Sequence, residues 1–211
     1  MTALTPAETQ ALAAIRAALA KVTRYDDESI VADRWIRQRY ACGCYETYAP
    51  ARQAVVRTAW HEAGHAVAAL AIGARFSSAS LHHGPNSRGH SSEGRVHGVT
   101  GGGDLSFVVD AAGQIGERLM DWTMPGSDAA LRTWLASWRR DGGDARRFRQ
   151  AIGPRFGTDE AAAWRHSEGV LVPLRPRIRE LARALLVHHR HLTYGVAAEL
   201  AGLRQETLLP G

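Results

Sequence analysis

Two histidines and a glutamate form the pattern with the clearest chemistry in this sequence: His61, Glu62 and His65, in the order His-Glu-x-x-His. Residues four apart lie one above the other on a helix, so both imidazoles can bind one ion. Two neutral imidazoles suit Zn²⁺, which lowers the pKa of a bound water to about 7 when three protein ligands hold it. The neighbouring carboxylate of Glu62 can accept a proton from that water as it attacks a carbonyl carbon. The pattern therefore predicts zinc-dependent hydrolysis.

A long helix must position these three residues. The segment that contains them begins at Pro50, places apolar residues at helical spacing and ends at Gly73, which is typical of a buried amphipathic helix. Two short strands are predicted after it, at 76–81 and 95–99, joined by a loop rich in Gly, Ser, His and Asn. The metal-binding motif is thus expected on a helix that packs beside a β-hairpin or small sheet.

Helices are predicted for most of the remaining chain. Thr5, Pro6 and Glu8 form a strong start signal, with a capping hydroxyl, a proline at the first helical position and a glutamate three residues after the cap. The fold class predicted is mainly α (α+β), a helical bundle with a small β element. The other predicted helices are 6–22, 27–41, 105–122, 127–140, 144–152, 159–166, 174–189 and 193–202.

Composition limits the classes of protein to consider. A chain of 211 residues with 45% hydrophobic residues can bury a sizeable core without a disulfide or metal, so a metal would serve chemistry. No apolar run approaches the roughly 20 residues of a membrane span, and no secretory leader is visible, so we expect a cytoplasmic protein without membrane contact. Cys42 and Cys44 are too close for a CxxC site and are expected to be reduced thiols. The net charge of +5 alone does not favour nucleic-acid binding, because no zinc-finger, RNP or helix-turn-helix pattern is present.

Three segments resemble the peptidase domain of FtsH-type zinc metalloproteases. TAWHEAGHAVAAL is similar to that family's HEAGH helix, AAGQIGERL at 111–119 to its glycine-rich GGRxAEE helix, and LARALLVHHRHLTYGVAAEL to its terminal helices around an LT turn. The resemblance covers about 51–203, and only HEAGH is highly specific. It implies a zinc metallopeptidase-like domain at 49–211, preceded by an N-terminal helical extension at 1–48.

The resemblance also implies an aspartate as the third zinc ligand, near the start of a helix that follows a Gly- or Ser-containing turn. Asp144 after Gly142-Gly143 fits best, because its distance along the chain from the histidines is closer to the family's interval. Asp128 after Gly126-Ser127 is the alternative third ligand. Asp141 is a lesser candidate, and Glu93 would serve if the site used a glutamate from a nearer element.

The sequence departs from the family in ways that bear on substrates. The only lysine, Lys21, lies in an alanine-rich segment without the glycines of a phosphate-binding loop, so we expect no ATPase module in this sequence. The expected substrates are peptides or unfolded proteins, with a separate unfoldase or partner protein as a possible supplier. The alternative is a non-catalytic, zinc-stabilised regulatory or binding module with a basic helical surface.

Overall fold

A computed structural model describes residues 3–21, 49–86, 89–138, 143–188 and 191–203 of the chain. The predicted fold class, mainly helical with a small sheet, is confirmed. The predicted helix at 27–41 and both cysteines lie outside the described residues. The elements are α1 (Pro6–Ala20), α2 (Ala49–Ala71), β1 (Ser78–Asn86), β2 (Gly89–His97), α3 (Ser106–Asp121), α4 (Asp128–Trp138), α5 (Gly143–Phe156), α6 (Glu160–Leu171), α7 (Arg175–His188), β3 (His191–Thr193) and α8 (Tyr194–Ala201), with 3-10 turns at Gly103–Leu105 and Val172–Leu174.

Helix α2, which contains the His-Glu-x-x-His motif, packs between α3, α7 and the sheet. Two glycines let α2 and α3 approach closely. A Cβ on Gly64 would lie 2.3 Å from the carbonyl oxygen of Ala112, and one on Gly116 would lie 2.4 Å from that of Trp60. Any larger residue at either position would force the two backbones apart. This close packing places α3 directly against the motif.

The sheet is antiparallel, with strand order β2-β1-β3. Strands β1 and β2 are longer than predicted, because their pairing continues in one register from Ser78 opposite His97 to Asn86 opposite Gly89. The ladder supplies backbone hydrogen bonds to residues of weak strand propensity, so most of the predicted loop is strand. The three-residue β3 was not predicted, since its pairing with β1 depends on distant residues.

An aromatic cluster fixes α5 relative to α3 and the other helices. The ring of Phe148 on α5 lies 6.3 Å from Phe107 on α3 and 5.4 Å from Trp138 on α4, and Trp164 on α6 completes the cluster. All four side chains are buried, and edge-on or tilted ring pairs of this kind stabilise a core beyond their apolar area. The cluster therefore holds α5 in a defined position relative to α3.

Several helix ends differ from the predicted ones. Helix α5 continues to Phe156 with Pro154 inside it and stops at Gly157, which has φ +58° and so the left-handed conformation that ends helices. Helix α6 runs on to Leu171, five residues beyond its predicted end, because its buried face continues through Ser167, Glu168 and Leu171. Within the described residues, no helix combines the length and apolar character that a bilayer span requires.

Candidate metal centre

Three side chains from α2 and α5 converge on one point. The Nε2 atoms of His61 and His65 lie 3.0 Å apart, and Oδ2 of Asp144 lies 3.3 Å from the first and 3.4 Å from the second. A tetrahedral zinc ion with ligand bonds of 2.0–2.1 Å separates its ligand atoms by about 3.3 Å. The observed triangle matches that separation, so this group could hold a metal ion.

The other nitrogen of each imidazole is fixed by an oxygen from α3. Nδ1 of His61 lies 2.7 Å from Oε1 of Glu117, and Nδ1 of His65 lies 2.7 Å from the carbonyl oxygen of Val109. A carbonyl or an ionised carboxylate can only accept, so each Nδ1 donates a proton. In the neutral form of each ring, Nε2 then carries the lone pair that a metal ion would need, which is the arrangement that outer-shell partners of zinc-binding histidines impose.

Glu117 is itself held in place. Nε2 of Gln114 donates to Oε1 of Glu117 at 3.1 Å, and Nη1 of Arg57 donates to Oε2 at 3.4 Å. Oε1 of Glu117 thus accepts hydrogen bonds from the imidazole of His61 and the amide of Gln114, while Oε2 accepts one from the guanidinium of Arg57. This network stabilises the ring orientation of His61.

Gly113 lies where α3 passes the two rings. A Cβ at this position would lie 2.5 Å from Nε2 of His61 and 2.5 Å from Nε2 of His65. Both contacts are shorter than side chains tolerate, so only glycine leaves room for the ligand atoms. The resemblance to a glycine-rich helix covered this residue, but the sequence alone gave no reason for it.

Glu62 lies on the other side of the motif, against strand β2. Its side chain is buried, and the backbone N–H of Val96 faces its carboxylate. Burial raises the pKa of Glu62, while the charges of the two histidines and the nearby N–H of Val96 lower it. A Cβ on Gly94 would lie 2.2 Å from Cγ of Glu62 and 2.8 Å from Oε1, so β2 also depends on a glycine to accept this side chain.

The charges of the ligand group favour a cation. Burial lowers the pKa of His61, but its hydrogen bonds to Asp144 and Glu117 and the charge of Glu62 together raise that pKa to about 10. Burial also disfavours ionisation of Asp144, yet its hydrogen bonds to both histidines hold its pKa well below the usual range. The cluster therefore attracts a positive charge, which a proton or a metal ion can supply.

The triangle opens into a cleft of about 910 Å³. Strand β2, the 99–101 segment, α3 and α5 surround it, and Glu62 faces it together with the three possible ligands. The side walls carry both polar and small apolar side chains: Val96, Val99, Ser106, Asp110, Arg147 and Gln150.

The other acids named from the sequence have different positions. Asp128 begins α4, where its side chain is 69% exposed and Oδ1 accepts from Nε of Arg165 at 3.2 Å. It is not part of the group formed by the two histidines. Asp141 and the side chain of Glu93 lie outside the described residues.

Comparisons with known proteins found no match for this chain among protein-family models, curated proteins or solved structures. The resemblance to FtsH-type peptidases stays a prediction from the motifs quoted above.

Proposed function

We propose that this chain is a zinc-dependent metallopeptidase that hydrolyses peptide bonds of unstructured polypeptides. The observation that carries the proposal is the triangle of ligand atoms, 3.0–3.4 Å on each side, beside the buried carboxylate of Glu62 in one open cleft. A donor set of two imidazoles and one carboxylate suits Zn²⁺, and three protein ligands are the number found in catalytic zinc sites.

A bound Zn²⁺ would supply Lewis-acid chemistry, by polarising the scissile carbonyl and acidifying a water. His61, His65 and Asp144 would hold it. Glu62 accepts one proton as the water oxygen bonds to the carbonyl carbon, and then delivers that proton to the leaving nitrogen as the C–N bond breaks. Close packing against Gly94 of β2 holds Glu62 in place for both transfers. No covalent intermediate with the protein is needed.

The position of β2 supports an extended substrate. It is one of the two edge strands of the described sheet, and its residues Gly94, Arg95 and Val96 line the cleft. Extended peptides bind such edges by adding a strand. A folded protein would have to be opened first, so a separate unfoldase or partner protein would widen the range of substrates.

Substitution of the proposed base tests this function. Glu62→Gln keeps the shape of the side chain but removes its basicity, so hydrolysis of an unstructured protein such as casein should fall about 100-fold or more, with zinc content unchanged. Glu180→Gln makes the same chemical change at an exposed position on α7 and should leave hydrolysis unaltered. A zinc-loaded wild type without hydrolysis, or a Glu62→Gln variant as active as wild type, would contradict the proposal.

Metal removal separates this function from the alternative of a zinc-stabilised binding module. The core is extensive away from the site and includes the aromatic cluster around Phe148 and Trp164. A chelator should therefore abolish hydrolysis and leave most of the helical circular dichroism signal. Loss of that signal on chelation would instead favour a structural metal.

A further inference from the structure

The third possible ligand, Asp144, has a partner on each oxygen. Oδ2 faces the two imidazoles, whereas Oδ1 accepts a hydrogen bond from Nη2 of Arg147, one turn further along α5. The same guanidinium donates from Nε to Oδ1 of Asp110 on α3, at 2.8 Å. Arg147 thus joins the two carboxylates of two different helices.

The residues around the Arg147 guanidinium provide both a buried negative charge and the space that it occupies. The side chain of Asp110 is only 14% exposed, so its charge is largely removed from water and depends on a protein partner. A Cβ on Gly143 would lie 3.0 Å from Nη1 of Arg147, and the glycine leaves that space to the arginine. The planar fork of an arginine can donate to two carboxylates at once from fixed positions, which a lysine ammonium cannot do.

Adjacent residues of α3 therefore reach ligands on two elements. The carbonyl oxygen of Val109 fixes His65 on α2, and the next residue, Asp110, reaches Asp144 on α5 through Arg147. Without Asp110, this turn of α3 would support only His65. The arginine extends that support to the ligand from the distant helix.

We propose that Arg147 is a positioning residue of the metal centre: anchored on Asp110, it holds Oδ1 of Asp144 so that Oδ2 alone points to the ion. This role rests on the metal site of the proposed function, and it does not require that the site hydrolyse peptides.

Electrostatic repulsion and ligand positioning predict opposite effects of removing Arg147 on zinc affinity. A guanidinium beside the site repels a cation, so on charge alone its removal should strengthen zinc binding. If Arg147 positions the ligand, its removal should weaken zinc binding, because Asp144 is free to turn away. The sign of the change distinguishes the two.

The experiment measures Zn²⁺ affinity by competition with a chromophoric chelator. Arg147→Met should weaken binding about 10- to 100-fold, the usual cost of losing an outer-shell partner. Arg147→Lys keeps the charge but loses the fork, and should also bind more weakly than wild type. Arg146→Met is the control, since it removes the same charge from the neighbouring exposed residue of α5 and should leave the affinity within about twofold.

The visible spectrum of the Co²⁺-substituted protein gives a second readout. The d–d bands should change in Arg147→Met and stay unchanged in Arg146→Met, because only the first alters the geometry of a ligand. Arg147→Lys, which keeps the positive charge, provides the affinity test if Arg147→Met does not fold. Asp110→Asn, on the other helix, should weaken Zn²⁺ binding too, but loss of its negative charge acts in the same direction.

Equal or tighter Zn²⁺ binding by Arg147→Met, or by Arg147→Lys where the first variant does not fold, would overturn this role. A Co²⁺ spectrum of Arg147→Met identical to that of the wild type would also overturn this role. A wild-type chain that binds no Zn²⁺ would refute the metal site and this role together, whereas a wild type that binds Zn²⁺ without hydrolysing peptides would refute only the proposed function.

Discussion

The two sides of helix α2 support the site in different ways. On the α3 side, His61 and His65 contact polar groups of Glu117 and Val109 and pack against Gly113. On the β2 side, Glu62 faces the backbone N–H of Val96 and packs against another glycine. One side of the helix thus fixes the two proposed histidine ligands, and the other fixes the proposed base. Metal binding and proton transfer should therefore be separable by mutation.

Helix α3 and strand β2, which support the two sides of the site, also differ in how tightly they pack. Helix α3 packs closely against α2 through backbone contacts at Gly64 and Gly116, and it has buried residues along its length. Within the described sheet, strand β2 pairs with β1 alone, and its residues 94–96 line the cleft. Edge strands open more easily than packed helices, so the proposed base lies on the more adaptable side. A substrate that adds to β2 would then act on the side that holds Glu62.

The largest expected effect is on the α3 side. In Gly113→Ala, the new methyl group would lie 2.5 Å from Nε2 of both histidines, so at least one ring must turn away. Zinc affinity should fall more than about 100-fold, and hydrolysis should be lost with it. Metal analysis after dialysis measures the first effect.

Gly153→Ala is the matched control for that variant. It makes the same change inside α5, at a helical glycine where a Cβ would contact nothing within 4 Å. It should bind zinc as the wild type does. Normal zinc content in Gly113→Ala would mean that α3 does not constrain the ligands.

A smaller and more selective effect is expected on the β2 side. The methyl group of Gly94→Ala would lie 2.2 Å from Cγ of Glu62, and the flexible side chain can move aside without disturbing the backbone. Zinc content should stay normal while kcat falls about 100-fold, the cost of displacing a catalytic group by about 1 Å. Steady-state kinetics and metal analysis of one preparation measure both quantities. Loss of zinc in this variant, or full activity, would show that the two supports are not independent.

The sequence predicted the parts of the site that depend on local spacing. The pairing of His61 with His65 follows from helical periodicity, and Asp144 was preferred among several acids through a family resemblance. The structure places all three together. Helix starts marked by Thr5 and Thr193 are confirmed, because each hydroxyl caps the backbone three residues later.

The features of the site and sheet that the sequence did not predict depend on contacts between distant parts of the chain. His61 and Glu117 are 56 residues apart, and Asp110 and Arg147 are 37 apart, so no local pattern pairs them. Gly94 lies in a segment that was predicted to be a loop. The need for a glycine there follows only from the packing of β2 against the side chain of Glu62. Short strands such as β3 exist only through their partners, which propensity cannot supply.

The central claim is that His61, His65 and Asp144 bind one metal ion, and zinc content tests it most directly. Wild type, Asp144→Ala and Asp128→Ala would be purified side by side, loaded with Zn²⁺ and dialysed. We predict about one Zn²⁺ per chain in the wild type and in Asp128→Ala, and little in Asp144→Ala. Full zinc content in Asp144→Ala, or loss of zinc in Asp128→Ala alone, would contradict the account.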